Sequence, residues 1–343
     1  MTPRTLGALI GGGAGVVYGL VVYVWLHRMG GGDAGPGVMV AAYLFLVPFV
    51  LGMISVALIF LRSPSPAPSG PVPLNALGDP PLQARPPGLG TAIGVAALST
   101  TVFLITALVL GFEGVLCAFI AAPVMYVMAA IGASLAFLIR HWTRRGRAGA
   151  LLFSASLPAL LGPLEQGRDP VTIYRTVSND VLIHASPEAV WTEIRSVAWI
   201  DDREIRSGWA HTVGLPRPRE ALLRGTGVGS VRTATFDGGL SFTETVTDWE
   251  EGRFLSFRIQ ASDPGHLDPH VRVGGRFFDV VSGTYRLEKL APDLTLLHLS
   301  STQRVSTPFN GYTAWFTQAI MRDLQRTILG VVQARAERQG DAQ

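Results

Sequence analysis

Four stretches of this chain carry no charged side chain, and each runs 22 residues or more: Thr5–Leu26, Val38–Leu61, Gly88–Phe112 and Gly114–Ile139. A helix needs about 20 residues to cross the hydrocarbon core of a bilayer. In lipid it also satisfies its own backbone hydrogen bonds, which a lone strand cannot do. Residues 1–147 are therefore read as an all-α transmembrane bundle of four helices, with spans near 5–26, 38–61, 88–112 and 114–139. The first run is too long for a signal peptide, and no small-residue cleavage site follows it.

Charge divides the chain in two. Up to Leu164 there are eight Arg and three acidic residues; from Glu165 onward there are 20 basic and 22 acidic residues. The overall 15% charged content is low because the first half is apolar. The surplus of positive charge lies beside the apolar runs and the second half is nearly neutral, which argues against a nucleic-acid partner. Cys117 is the only cysteine, so neither an intrachain disulfide nor a thiolate metal cluster can form.

Orientation follows from the connections. Arg4, Arg62, Arg85, Arg140, Arg144, Arg145 and Arg147 fall on one side of a four-span bundle and Arg28 alone on the other, which places the N-terminus in the cytoplasm. The loop "RSPSPAPSGPVPLNALGDPPLQARPPG" reads as an extended Pro-rich linker. Ala148–Leu164 is uncharged but only 17 residues long, about 26 Å of helix, and Pro158 would kink it. If it spans, the second half lies outside the cytoplasm; if it lies in the interface, the second half is cytoplasmic. The reading leans to a fifth span in an inner or plasma membrane, with 148–170 as span and linker. Glu113, in the turn "GFEG", reads as a solvated hairpin tip, and the glycines of "GALIGGGAGVVYG" as a helix-packing face.

From Val171 the pattern changes to alternation. "VTIYRTVSNDVLIHA" is a strand with Val177, Val181 and Ile183 turned inward. Ser186, Pro187 and Glu188 supply an N-cap, a first helical position and a first-turn acid for a helix with Val190, Ile194 and Val197 on one stripe. A second short helix is expected in "AWIDDREI". Five β-rich runs follow: "GSVRTATF", "LSFTETVTDW", "RFLSFRIQ", "RFFDVVSGTYRLEKL" and "LTLLHLSSTQRV". Their short spacing implies an antiparallel meander. A long helix closes the chain, with Phe316, Ile320, Leu324, Ile328 and Val331 on its apolar stripe and Gln318, Arg322, Gln325 and Arg335 elsewhere.

That order of elements, with "ASPEAVW" near its start, resembles the START-related helix-grip superfamily, which includes polyketide cyclases, dehydratases and lipid-transfer domains. The resemblance covers about 171–338. It implies an α+β fold in which a curved antiparallel sheet wraps the final helix around a largely apolar cavity; it does not imply one reaction.

Several residues invite chemistry. "RGTGVGS" holds GxGxG, but a strand follows the glycines where a phosphate loop needs a helix, so it reads as a hairpin loop. "HLDPH" spaces His266, Asp268 and His270 alternately, but prolines and glycines surround them and no fourth ligand stands out, so no metal is expected. His184 and His298 read as structural strand residues, and no Ser-His-Asp order can be chosen. Arg232 shares a strand face with Phe236, and Glu244 shares one with Phe242 and Val246. Inside a cavity those charges would have to pair or hold a ligand. Trp191, Trp199, Phe257, Trp315, Phe316 and Ile320 complete the candidate cavity residues. The expectation is a membrane-tethered domain that binds a lipid or other hydrophobic small molecule without a cofactor, with transfer of that molecule as an extension of binding. A polyketide-type cyclase or dehydratase, and a sensor or assembly factor with a protein partner, are the alternatives.

Overall fold

The computed structural model describes residues 3–29, 39–62, 88–139, 144–166, 168–205, 208–263 and 272–340. The Pro-rich linker and the "HLDPH" run lie outside them. The chain divides into two compact units, one made mainly of the N-terminal helices and one mainly of residues from Asp169 onward.

The first unit contains α1 (Pro3–Met29), α2 (Val47–Arg62), α3 (Leu89–Val109), α4 (Val115–Leu138) and α5 (Arg144–Gln166). Among the described residues, three segments are long and apolar enough to cross a membrane, namely Leu9–Met29, Leu89–Val109 and Val115–Leu138, while Ala42–Leu58 forms a shorter apolar helix. A π-helical turn, Ala42–Leu46, leads into α2. Pro48 explains it: proline has no N–H to return to the Leu44 carbonyl, and the wider turn absorbs the mismatch.

Glycines set the packing. An added Cβ at Gly15 would meet the Ser55 hydroxyl at 2.6 Å, at Gly12 the Ser99 hydroxyl at 3.0 Å, and at Gly19 the Phe103 ring at 2.8 Å. The glycine face of α1 thus fits onto α2 and α3, where Ser55 and Ser99 bond to each other at 3.1 Å. Ser99 donates to the Val95 carbonyl of its own helix, and the single Ser55 proton is shared between the Leu51 carbonyl and the Ser99 oxygen, so neither hydroxyl is stranded among apolar side chains. On α2 and α4, Gly52 and Gly132 face the Ala129 and Phe49 carbonyls, leaving no space for a side chain at either position.

Helix α5 runs unbroken through Pro158 and Pro163. Pro163 cannot donate to the Ala159 carbonyl, and the Trp25 indole donates to it instead at 3.3 Å. Tyr18 donates to the Ala155 carbonyl and Gln166 to the Leu26 carbonyl, each at 3.0 Å. Contacts therefore climb both helices together, 18 with 155, 25 with 159 and 26 with 166, so α5 lies alongside α1 and points the same way. At its C-terminal end the Glu165 carboxylate accepts from the Ala41 and Ala42 N–H groups at 2.6 and 3.4 Å, occupying donors that a helix start leaves open.

The second unit is a helix-grip domain. Its strands are β1 (Ile173–Ile183), β2 (Pro218–Arg224), β3 (Val231–Phe236), β4 (Ser241–Glu250), β5 (Phe254–Asp263), β6 (Phe278–Ala291) and β7 (Leu294–Val305). They form one curved antiparallel sheet in the order β1-β7-β6-β5-β4-β3-β2. Its long C-terminal helix, α8 (Asn310–Gly340), packs on β1 and β7. The main core gathers Ile183, Ile194, Leu255, Leu297, Leu329 and Val332.

Helix α6 (Pro187–Arg195) starts as its sequence requires, with the Ala189 N–H donating to the Ser186 hydroxyl at 3.3 Å. The second short helix is α7 (Trp209–Thr212) rather than "AWIDDREI". It is capped from outside: the buried Asp323 carboxylate on α8 accepts from the Ala210 N–H at 2.9 Å. The "RGTGVGS" run is the β2–β3 hairpin loop, with Gly225, Gly227 and Gly229 all at positive φ, where a side chain would be strained. Side chains of α8 also reach the backbone of β1. Gln325 donates to the Val177 carbonyl, Gln333 donates to the Leu182 carbonyl, and the Glu337 carboxylate accepts from the His184 N–H.

"AWIDDREI" instead forms a strap that turns Ile200 and Ile205 inward beside Val331. Val197 exchanges two backbone bonds with Ala221 on β2. Glu204 then takes a bidentate grip from Arg335 of α8, at 2.8 and 2.9 Å. Arg335 holds the Glu204 carboxyl down at about 2, against an ordinary 4.5. A carboxyl whose folded value lies below its unfolded value adds stability above the unfolded value and loses it as pH falls toward the folded one. Acidification from about pH 5 to about pH 3 is therefore expected to lower the unfolding midpoint, and Arg335→Met to shrink that drop. An undiminished acid-side fall in the variant would show that the grip plays no part.

Candidate functional site

Between the sheet and α8 lies a cavity of about 120 Å³. Its wall is mostly aliphatic and aromatic, from Val197 and Ile200 of the strap, Phe236, Phe242, Phe257 and Ile259 of the sheet, and Met321, Leu324, Ile328 and Val332 of α8. The apolar wall follows from alternation: residues two apart along each strand face the helix together.

Two buried charges sit in that wall, beside the half-buried Glu220. Arg232 on β3 and Glu244 on β4 are direct cross-strand partners, so their side chains leave the sheet on one face. They are 5% and 7% exposed, too dry for either charge to stand alone. Arg232 Nε donates to a Glu244 carboxylate oxygen at 2.5 Å and Arg232 NH1 donates to the Ile194 carbonyl, at the end of α6, at 2.6 Å. The guanidinium lies 4.0 Å from the centre of the Phe257 ring and 5.6 Å from that of Tyr285. Burial works against the Arg232 charge, yet the Glu244 carboxylate beside it offsets that and holds the group above its ordinary range. Burial pushes the Tyr285 phenol up, so it stays protonated at neutral pH.

A second polar group lies on the helix side. Gln325, 2% exposed, donates to the Val177 carbonyl at 3.0 Å and the Ser301 hydroxyl at 2.7 Å, and accepts from Asn179 at 2.8 Å. Gln325 and Ser301 both line the cavity, as do Tyr285 and Glu220.

Of the ten candidates from sequence, Arg232, Phe236, Phe242, Glu244 and Phe257 come together at the cavity wall. The other five do not reach it. Trp191 packs edge-on against Trp249 in the main core, at 5.1 Å between ring centres. Trp199 and Trp315 are 63% and 66% exposed, and the Arg219 guanidinium covers the Trp199 ring at 5.5 Å. Phe316 and Ile320 are buried nearer the start of α8. His184 is exposed at the end of β1, and His298 bonds Asp180 at 2.6 Å. Tyr285, Ser301 and Gln325 were missed. Tyr285 was within reach, because it alternates with Leu287 in "GTYRLEKL". Gln325 was assigned to the polar part of α8, since helical periodicity reads a glutamine as outward.

A curved seven-stranded sheet gripping a long helix around an apolar cavity defines the class of the C-terminal half: a helix-grip domain, compatible with small-molecule binding. No protein-family model and no curated protein matches the chain. Among solved structures it is similar to an aromatase/cyclase from a Streptomyces species, at 19% identity over 49% of this chain and 96% of that one, with a TM-score of 0.33. It is also similar to a norcoclaurine synthase from Thalictrum flavum, at 16% identity over 47% of this chain and 96% of that one, with a TM-score of 0.28. A protein from Rhizobium leguminosarum matches at 10% identity over 49% and 97%, with a TM-score of 0.32.

Proposed function

We propose that the helix-grip domain binds a hydrophobic small molecule, and that the N-terminal helices hold it at a membrane where such molecules collect. The observation that carries this reading is the apolar cavity whose two buried charges already satisfy each other. Its volume of about 120 Å³ suits one small ring, or one end of a longer molecule; an apolar cavity of about 150 Å³ takes up benzene. A complete lipid chain would need the wall to move apart. Tethering raises the effective concentration of a ligand that partitions into lipid. A cyclase or dehydratase would need an acid and a base free to act; Glu244 is engaged by Arg232, which leaves Glu220 and Tyr285 as the groups of the wall that such a reaction would have to use.

Helix α5 bears on the side of the membrane. It points the same way as α1, and the domain follows it after a few residues. With the seven arginines that the sequence assigns to the cytoplasmic side, the domain would emerge outside the cytoplasm. A reporter enzyme fused to the C-terminus is expected to work only there, and activity confined to the cytoplasm would reverse the assignment. Native mass spectrometry of the full-length protein, released from lipid nanodiscs, should find a small apolar molecule retained at one per chain. A chain that always arrives empty would count against binding.

A further inference from the structure

The compact unit that holds the helix-grip domain also includes Gly111–Ile120, the turn between α3 and α4 together with the first residues of α4. Aromatic rings join that stretch to the domain. Phe119 lies 5.8 Å from the Trp209 ring of α7 and 6.2 Å from the Phe316 ring of α8, centre to centre. Tyr312 and Trp315 pack edge-on against Phe316 at 5.0 and 4.7 Å. The Tyr312 hydroxyl donates to the Ile120 carbonyl at 2.5 Å, and a Cβ added at Gly214, just past α7, would meet that of Val115 at 3.9 Å. Phe316 is buried at the centre of the cluster, while Trp209, Trp315, Val115 and Phe119 are exposed around it. A contiguous exposed aromatic surface of this kind marks a place where a protein meets something apolar. Chain continuity says what. Beyond Phe119, α4 goes on as an apolar segment, Val115–Leu138, long enough to cross a bilayer. Phe119 stands only about 6 Å of helical rise past Val115, so the rings around it lie at the depth where α4 enters lipid.

We propose that the rim formed by Trp209, Tyr312 and Trp315 sits in the headgroup layer of the bilayer that α4 enters, so that the domain rests on the membrane surface instead of hanging from a linker. This rests on the reading of α4 as a membrane span. Tryptophan and tyrosine suit that layer, because each offers an apolar body to the acyl chains and an N–H or O–H to the wet side. In the orientation argued above, the α3–α4 turn and the end of α5 face the same side, so one membrane surface receives both. The placement also bears on the cavity. Helix α8 joins the cavity wall at Met321, six residues after Trp315 and about 9 Å further along its axis. An apolar ligand dissolved in that leaflet would therefore lie near the wall it has to reach.

Bromine on a lipid chain quenches any tryptophan that touches it, which makes a direct test. The full-length protein is assembled in phosphatidylcholine nanodiscs with or without bromine on the upper acyl chain. Emission from Trp315→Phe, Trp199→Phe and Trp25→Phe is subtracted from that of the wild type to isolate each indole. Trp315 is exposed enough that phenylalanine should leave the fold intact. Its component is expected to be lost in the brominated discs. Trp199, as exposed but set on the strap beneath Arg219, should keep its emission. Trp25 lies in the apolar segment Leu9–Met29 and reports whether the helices are in lipid at all. Quenching of Trp25 without quenching of Trp315 would overturn the proposal and leave the membrane reading standing. An unquenched, blue-shifted Trp315 in discs that hold two chains would give this face to a second copy, which overturns it equally. Quenching of Trp199 as strong as that of Trp315 would mean that no particular rim faces the lipid. If neither Trp25 nor Trp315 is quenched, the membrane reading fails and the proposal fails with it.

Discussion

Replacing Glu244 with alanine is expected to cost the helix-grip domain about 3–5 kcal/mol. The cost comes from what remains. Arg232 keeps its charge at 5% exposure, its bond to the Ile194 carbonyl cannot neutralise it, and the aromatic faces of Phe257 and Tyr285 compensate only in part. The double replacement Arg232→Met with Glu244→Leu removes both charges at similar volume and should come within about 1 kcal/mol of the wild type, or exceed it. Thermal and denaturant unfolding of the purified chain, followed through the tryptophans of the domain, gives both numbers. A single variant that loses less than about 1 kcal/mol would show that water reaches the pair, and the cavity would then be wetter than its lining implies.

Gly132→Val is the second large effect, in the other unit. A Cβ at Gly132 would stand 1.9 Å from the Phe49 carbonyl oxygen, and one at Gly52 would stand 2.1 Å from that of Ala129. These are backbone atoms, so no rotamer change relieves the clash and α2 and α4 must separate. Overpacking a well-fitted contact costs about 1–3 kcal/mol, and a branched side chain at such a backbone contact belongs at or above the top of that range. Lipid offers no hydrophobic drive to restore the pair once van der Waals contact is lost. The expected result is a chain that inserts but elutes from detergent as a broad, aggregating species. Gly94→Val, where nothing lies within 4 Å, should behave as wild type. Equal behaviour of the two variants would show that the close approach is not what holds these helices.

The parts of this protein that could be read from sequence are those written in simple periodicity. Uncharged runs gave the apolar helices, Ser-Pro-Glu gave the start of α6, and alternation with phenylalanine put Arg232 and Glu244 on inward faces. What escaped was decided by partners far along the chain. The strand "PREALLR" opens with proline and is rich in helix-forming residues; it becomes a strand because β3 offers it an edge, where a missing N–H does no harm. "AWIDDREI" has the composition of a helix, but Arg335, 131 residues away, pulls Glu204 into a strap. Gln325 turns inward because Val177, Asn179 and Ser301 converge on it, and nothing in its neighbourhood on α8 announces them. Tryptophans misled for a related reason: an aromatic ring signals burial or an interface, but not which cavity it borders.

The side chains that α8 lends to β1 have a further consequence. An outermost strand presents unpaired backbone groups that can recruit a strand from another molecule, the first step toward edge-to-edge aggregation. At the end of β1 and just beyond it, Gln333 and Glu337 occupy the Leu182 carbonyl and the His184 N–H, so the helix covers that stretch of the rim. The opposite rim, β2, opens with Pro218 and gives up Ala221 to the strap. Both rims are thereby blunted against self-association. If the N-terminal helices hold the domain in the plane of a membrane, as proposed above, neighbours would meet far more often than in solution, and blunted rims would guard against runaway polymerisation.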